Sequence, residues 1–137
     1  MTADDIVSAA RACIDTPFMH QGRIPELALD CAGLIIAVAK AVGAEYVDVA
    51  GYSRFPSGGI LESCLCSQPS LDIITGADKQ AGDVLLIRFA GDPQHLAIFT
   101  GDTIIHSYAS VGKVCEHVMD AAWEKRIVCA YRFKGLT

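Results

Sequence analysis

No window of about eighteen uninterrupted apolar residues occurs in the 137-residue chain, so no membrane-spanning helix is expected, and no membrane partner. Basic runs are missing as well. Lysine and arginine total 11 against 16 aspartates and glutamates, and a net charge of −5 without a basic stripe excludes nucleic acid as an expected partner. The opening residues Met1-Thr2-Ala3-Asp4-Asp5 are acidic and lack the basic start and apolar stretch of an export signal, so the expectation is synthesis in the cytoplasm. No C-x-x-C pair appears, and Cys64-x-Cys66 has no second pair at ligand spacing, so neither a metal site nor a cofactor is expected. Aromatic residues are only 7%, with Trp123 the single tryptophan. It reads as a packing residue of a short amphipathic helix before it reads as a sugar platform. There is no internal repeat and no low-complexity tract.

What is present suits one domain over residues 1–137 with a proper core. Hydrophobic residues make up 52% and charged residues 20%, outside the range of disordered chains. The six cysteines, without an export signal, are expected to stay reduced. Cys13, Cys115 and Cys129 lie within apolar patterns and read as small core residues.

The chain is organised around residues 29–43. Positions 31–42 are almost wholly apolar and free of proline, and Gly43 closes the run, the pattern of a helix buried on most sides. Asp30 stands at the N-cap, and Cys31 is the first helical residue, beside the positive end of the helix dipole. A thiol there ionises more readily than in free solution, and the thiolate is the nucleophile.

Before it, Thr2-x-x-Asp5 resembles a capping box, and Ile6, Ala9, Ala10, Cys13 and Ile14 repeat on one helix face, which predicts a helix over 3–14. Residues 15–29, with Pro17, Gly22 and Pro25, read as a loop. Residues 50–59 read as an irregular surface segment and 60–66 as a short helix, and so long a connection suits the wall of a cleft. From Gly82 the period becomes that of strands: 83–89, a turn at 90–93, then 95–100, 103–108, 113–118 and 127–133, with a short helical piece at 120–126. Helices followed by a meander of about five antiparallel strands define an α+β class.

A cysteine nucleophile needs a histidine within reach, oriented by a third group. The candidates are His20, His95, His106 and His117. With Gly101-Asp102 as a two-residue hairpin turn, His106 lies opposite Ala97 and diagonal to His95 on the same face. Diagonal partners are roughly 7–8 Å apart, within reach of two imidazoles, while a one-residue slip separates them. A helix packed on that face would deliver the thiol of Cys31 to the pair.

Asp30-Cys31-Ala32-Gly33-Leu34 resembles the D-C-S/A-G-L/F nucleophile motif of the NlpC-type, papain-like cell-wall cysteine peptidases. Gly82-Asp83-Val84-Leu85 resembles that family's G-D-hydrophobic strand entry, His95-Leu96-Ala97-Ile98-Phe99 its H-V-G/A-I-Y strand, and Ile104-Ile105-His106-Ser107 its I-I-H-A segment. Gly51-Tyr52-Ser53-Arg54-Phe55-Pro56 and Asp120-Ala121-Ala122-Trp123 with Arg126-Ile127 look most like the phage-tail and prophage branch. The resemblance implies a papain-like fold and hydrolysis of peptidoglycan stem peptides, typically between D-γ-glutamate and a diamino acid, with phage tail-tip proteins as partners. It implies Cys31 as nucleophile, His95 as base and His106 as the residue holding the His95 ring, with the Cys31 N–H helping the oxyanion. A thiolate paired with imidazolium is expected to fall from about 8.5 into the range of roughly 3.5–7.5.

Two departures stand out. Phe18 replaces a tyrosine whose hydroxyl the family places near the oxyanion, and Ala32 replaces a serine. His20 is a substitute donor or a solvated loop residue, and Asp30 a helix cap, a ligand for a substrate amine, or both. The alternatives are a thiol amidase or acyltransferase on another substrate and a non-catalytic tail-assembly module on the same fold.

Overall fold

A computed structural model describes every residue except Phe55, Ser57 and Ala90. Helix α1 (Ala3–Arg11) opens with the capping box: Thr2 Oγ1 accepts from the Asp5 N–H and the Asp5 carboxylate accepts from the Thr2 N–H. It ends three residues earlier than its periodicity suggests. The N–H groups of Cys13 and Ile14 bond back three residues, to Ala10 and Arg11, and Asp15 takes a left-handed φ of 74° that stops the helix.

The expected loop before the cysteine helix holds a two-stranded sheet, β1 (Arg23–Ile24) antiparallel to β2 (Ala28–Leu29). Helix α2 (Cys31–Val42) starts and stops where its signals say, capped by Asp30 and closed by Gly43 at φ 74°. Helix α3 is Ile60–Cys66. Of the irregular segment before it, Phe55 and Ser57 lie outside the described residues, as does Ala90 of the expected turn.

Six strands, one more than expected, form an antiparallel sheet in the order β3-β8-β4-β5-β6-β7. They are β3 (Leu71–Ile74), β4 (Val84–Phe89), β5 (Asp92–Phe99), β6 (Thr103–Tyr108), β7 (Lys113–Val118) and β8 (Ile127–Phe133), with the one-turn helix α4 (Ala121–Glu124) before β8. The addition is β3, a four-residue edge strand on β8. Asp92 and Pro93, read as turn, belong to β5, where Pro93 faces Arg88 beside a bulge. The β5–β6 register pairs Ile98 with Ile105 and Phe99 with Ile104, as the Gly101-Asp102 turn requires.

Both faces of the sheet are covered. Val84, Leu86, Leu96, Ile98 and Ile105 pack with Ile6, Leu34 and Val38 of α1 and α2. Leu85, Ile87, Ala97, Phe99 and Ile104 form the opposite cluster, beneath Trp123 of α4. That double burial is why β4 reads as a continuous apolar run with little alternation. No helix among the described residues is long and apolar enough to cross a membrane.

Candidate active site

The helix start fixes the sulfur. Asp30 Oδ1 accepts from the Gly33 N–H at 2.7 Å, which leaves the Cys31 N–H outside the cap. Ser107 of β6 ties the preceding strand down, donating to the Leu29 carbonyl at 2.6 Å.

Asp30 does more than cap. Its Oδ1 also takes the Arg23 Nη1 at 2.9 Å, and its Oδ2 accepts from the Gln21 N–H at 2.9 Å and from the Tyr52 hydroxyl. The Tyr52 oxygen in turn accepts from Arg23 Nη2 at 2.7 Å, and Arg23 Nε reaches Asp48 at 3.0 Å. A carboxylate has about four acceptor positions, and all of them are taken inside a group that is 3% exposed. Asp30 therefore has no acceptor left for a substrate amine, and of its two expected roles the structure supports the cap. Burial opposes the Arg23 charge, but Tyr52, Asp30 and Asp48 outweigh it and hold the guanidinium above its ordinary value. Burial and Asp30 push the Tyr52 phenol upward. Arg23 comes from the stretch read as a plain loop, and Tyr52 from the irregular segment at 50–59 that was expected to suit a cleft wall.

His20 turns Nε2 to the Tyr52 carbonyl at 3.0 Å, edge-on to the Tyr52 ring. The amide nitrogen of Gln21 lies 3.3 Å from the same ring atom, so His20 Nε2 is engaged within the Tyr52 wall of the cleft. Phe18 is pinned by its backbone, donating to Gly112 O at 2.9 Å, and its ring lines the cleft.

That cleft, of about 380 Å³, takes in Cys31, Asp30, Phe18, His20 and His95. His106 is fully buried behind it. His95 Nε2 lies 2.6 Å from His106 Nδ1, so the diagonal pair forms as the hairpin register requires. One expectation is corrected. The histidines share the face of Ala97, Phe99 and Ile104, while α2 packs on the other side. The bulge resolves this: Ile87 pairs with His95 and Arg88 with Pro93, leaving Gln94 extra, and Gln94, His95 and Leu96 all line the cleft. A bulge re-aims the side chains beside it, and His95 opens on the cleft that Cys31 also lines.

Aromatic rings wall in the pair. Phe89 stacks on His95 at 4.9 Å and Tyr108 on His106 at 5.0 Å, with Trp123 edge-on to His106 at 5.1 Å. Trp123 is thus a packing residue of the site. A further member is His117 of β7, whose Nε2 is 2.8 Å from His106 Nε2.

The expected arming of the thiol is not found at rest. Burial, reinforced by the Asp30 carboxylate, pushes Cys31 up to about 12, despite lowering contributions from the Leu96 and Ala32 N–H groups. Burial holds His95 well below its ordinary value and, with His117 nearby, brings His106 down to about 3. Thiol and imidazoles are therefore neutral together. All six cysteines are free thiols, and among the described residues no group of three or more His, Cys, Asp or Glu side chains is placed to hold a metal.

A thiol opening a buried helix, in one cleft with an imidazole backed by a second imidazole, defines a papain-like thiol site. The chain belongs to the NlpC/P60 family, a family of cysteine peptidases, whose model matches residues 15–132. Solved structures agree in fold. A Bacillus cereus NlpC/P60 family protein has a TM-score of 0.69 at 18% identity, over 97% of this chain and 40% of its own. The NlpC/P60 domain of the peptidoglycan hydrolase SagA gives 0.66 at 23%, over 95% and 97%. The peptidoglycan hydrolase RipB of Mycobacterium tuberculosis gives 0.63 at 17%, over 95% and 63%. This chain thus spans less than half of the first and nearly all of the second. No curated protein matches it.

Proposed function

We propose that the chain is an endopeptidase that hydrolyses amide bonds in peptidoglycan stem peptides, with the D-γ-glutamyl–diamino acid bond as its target. The observation that carries this reading is Cys31 and His95 in one cleft with His106 bonded behind His95. Cys31 Sγ bonds to the carbonyl carbon as its proton passes to His95 Nδ1, the ring nitrogen not engaged by His106. The Cys31 N–H at the helix start meets the developing oxyanion. Collapse expels the amine, which takes the proton from His95. A water then gives a proton to His95 and its oxygen to the thioester carbon, and the thiol is reprotonated. Because attack and proton transfer are coupled, a thiol neutral at rest serves. The saturated Asp30 favours cleavage within a stem over recognition of a free amino terminus.

Delivery in a phage-like tail particle is the accompanying proposal, supported by the likeness of residues 51–56 and 120–127 to that branch. It fails if the protein alone binds intact sacculi tightly and clears them.

A second reading rests on the apolar cleft wall formed by Ile35, Ile36, Val47, Val49, Leu61 and Leu65. It suits a thiol amidase or acyltransferase acting on an apolar acyl group.

Purified sacculi and soluble muropeptides incubated with wild type and with Cys31→Ala separate these readings by mass spectrometry. New fragments from wild type alone support the peptidase, and their masses name the bond. Intact muropeptides alongside release of acyl chains from fatty-acyl amides overturn it in favour of the second reading.

A further inference from the structure

Three histidines from three neighbouring strands form one hydrogen-bonded chain. His95 Nε2 meets His106 Nδ1 at 2.6 Å, His106 Nε2 meets His117 Nε2 at 2.8 Å, and His117 Nδ1 meets the Val118 carbonyl oxygen at 3.0 Å. The far end decides the rest. A carbonyl oxygen accepts and never donates, so His117 Nδ1 carries the hydrogen. Neutral His117 then has a bare Nε2, which accepts from His106 Nε2–H. Neutral His106 is left with a bare Nδ1, which accepts from His95 Nε2–H. Neutral His95 is left with a bare Nδ1, free to take a proton from the thiol. Each tautomer follows from the one before it.

We propose that His117 is a positioning residue for the thiol chemistry: together with the Val118 carbonyl it sets the tautomers of His106 and His95 so that His95 Nδ1 is left bare. The proposal rests on the thiol–imidazole reading above, although the tautomers themselves are independent of any substrate.

The test pairs ¹⁵N NMR of the imidazoles with kinetics of His117→Leu and His117→Gln. In wild type at neutral pH, His95 should carry its hydrogen on Nε2, and a spectrum with hydrogen on Nδ1 overturns the proposal whether or not muropeptides are cleaved. Leucine accepts nothing from His106, so His117→Leu should lower kcat by about 10–100-fold, the scale for losing an outer hydrogen-bond partner, with KM little changed. Glutamine can accept from His106 through its carboxamide oxygen and donate to Val118 O, so His117→Gln should restore most of that loss. Equal kcat in both variants overturns the proposal. Should His117→Leu fail to fold, the wild-type spectrum decides, together with a His117→Gln kcat close to that of wild type.

Discussion

His95 and His106 sit eleven residues apart in the chain and meet at 2.6 Å, Nε2 to Nδ1, across the diagonal of one hairpin. Only His95 of the two reaches the cleft. The roles proposed for them are therefore unequal, and so are the expected losses. His95→Ala removes the group that takes the thiol proton and should lower kcat by about 10³–10⁴-fold, the upper range for a general base. His106→Ala leaves that base in place but unheld, and about 10²-fold is expected. Muropeptide cleavage rates rank them. A larger loss for His106→Ala would reverse the roles proposed here.

The state of the thiol is open to a direct reading. Burial and the Asp30 charge push Cys31 up to about 12, so its alkylation, followed on the Cys31 peptide by mass spectrometry, should be slow at pH 6 and rise only in the alkaline range. Asp30→Asn keeps a capping side chain but removes the charge, so it should move that rise toward lower pH. The same change strips the half-buried Arg23 of one carboxylate and leaves it Asp48. A stability loss of about 2–3 kcal/mol is expected, below the roughly 3–5 for a buried charge left wholly unpaired. Fast alkylation of wild type at pH 6 would mean a preformed thiolate–imidazolium pair.

Where a local signal acts alone, the chain could be read directly. Thr2 and Asp5 cap α1, Asp30 and Gly43 bound α2, and the Gly101-Asp102 turn sets a register that brings two histidines together. What escaped depends on partners far along the chain. Arg23 and Tyr52 matter because the fold brings them onto Asp30 from segments before and after the cysteine helix. His117 shows an ordinary strand position until β6 and β7 pair. β3 is four residues long and exists through β8, and the Gln94 bulge exists only in the pairing of β5 with β4. The thiol's pKa went astray for a related reason: the helix start was legible, but the desolvation that outweighs it belongs to the assembled cleft.

Acid should unsettle the fold before any carboxylate titrates. Free histidine takes a proton near 6.5; burial keeps His95 neutral well below that and His106 neutral to about 3. Below 6.5 the unfolded chain thus holds more protons than the folded one, so stability falls as pH falls, by about 1.4 kcal/mol per pH unit for each such histidine. Denaturant unfolding at pH 6.5 and 5.5 should show the drop, and His106→Asn should reduce its slope by about half. Equal slopes in the two proteins would mean that His106 titrates normally in the folded state.

Gly33 makes the last case, since helix propensity and packing pull it in opposite directions. Alanine in place of glycine adds about 1 kcal/mol of helix propensity. A Cβ on Gly33, however, would stand 2.1 Å from the Gly22 carbonyl oxygen, and the residue at risk is backbone of the segment leading into β1. Gly22 has no room to withdraw, because its own Cα faces the Ala28–Leu29 peptide, 2.7–2.8 Å from where a Cβ would sit. Overpacking against a fixed obstacle costs about 3 kcal/mol at the upper end of its usual range. Gly33→Ala should therefore lose about 2 kcal/mol net, and the helix start should be displaced from the Asp30 cap, so activity should fall further than stability alone accounts for. A thermal midpoint equal to or above wild type would show that the β1–β2 segment yields to the helix, and that the close approach of Gly22 to Gly33 does not hold Cys31 in place.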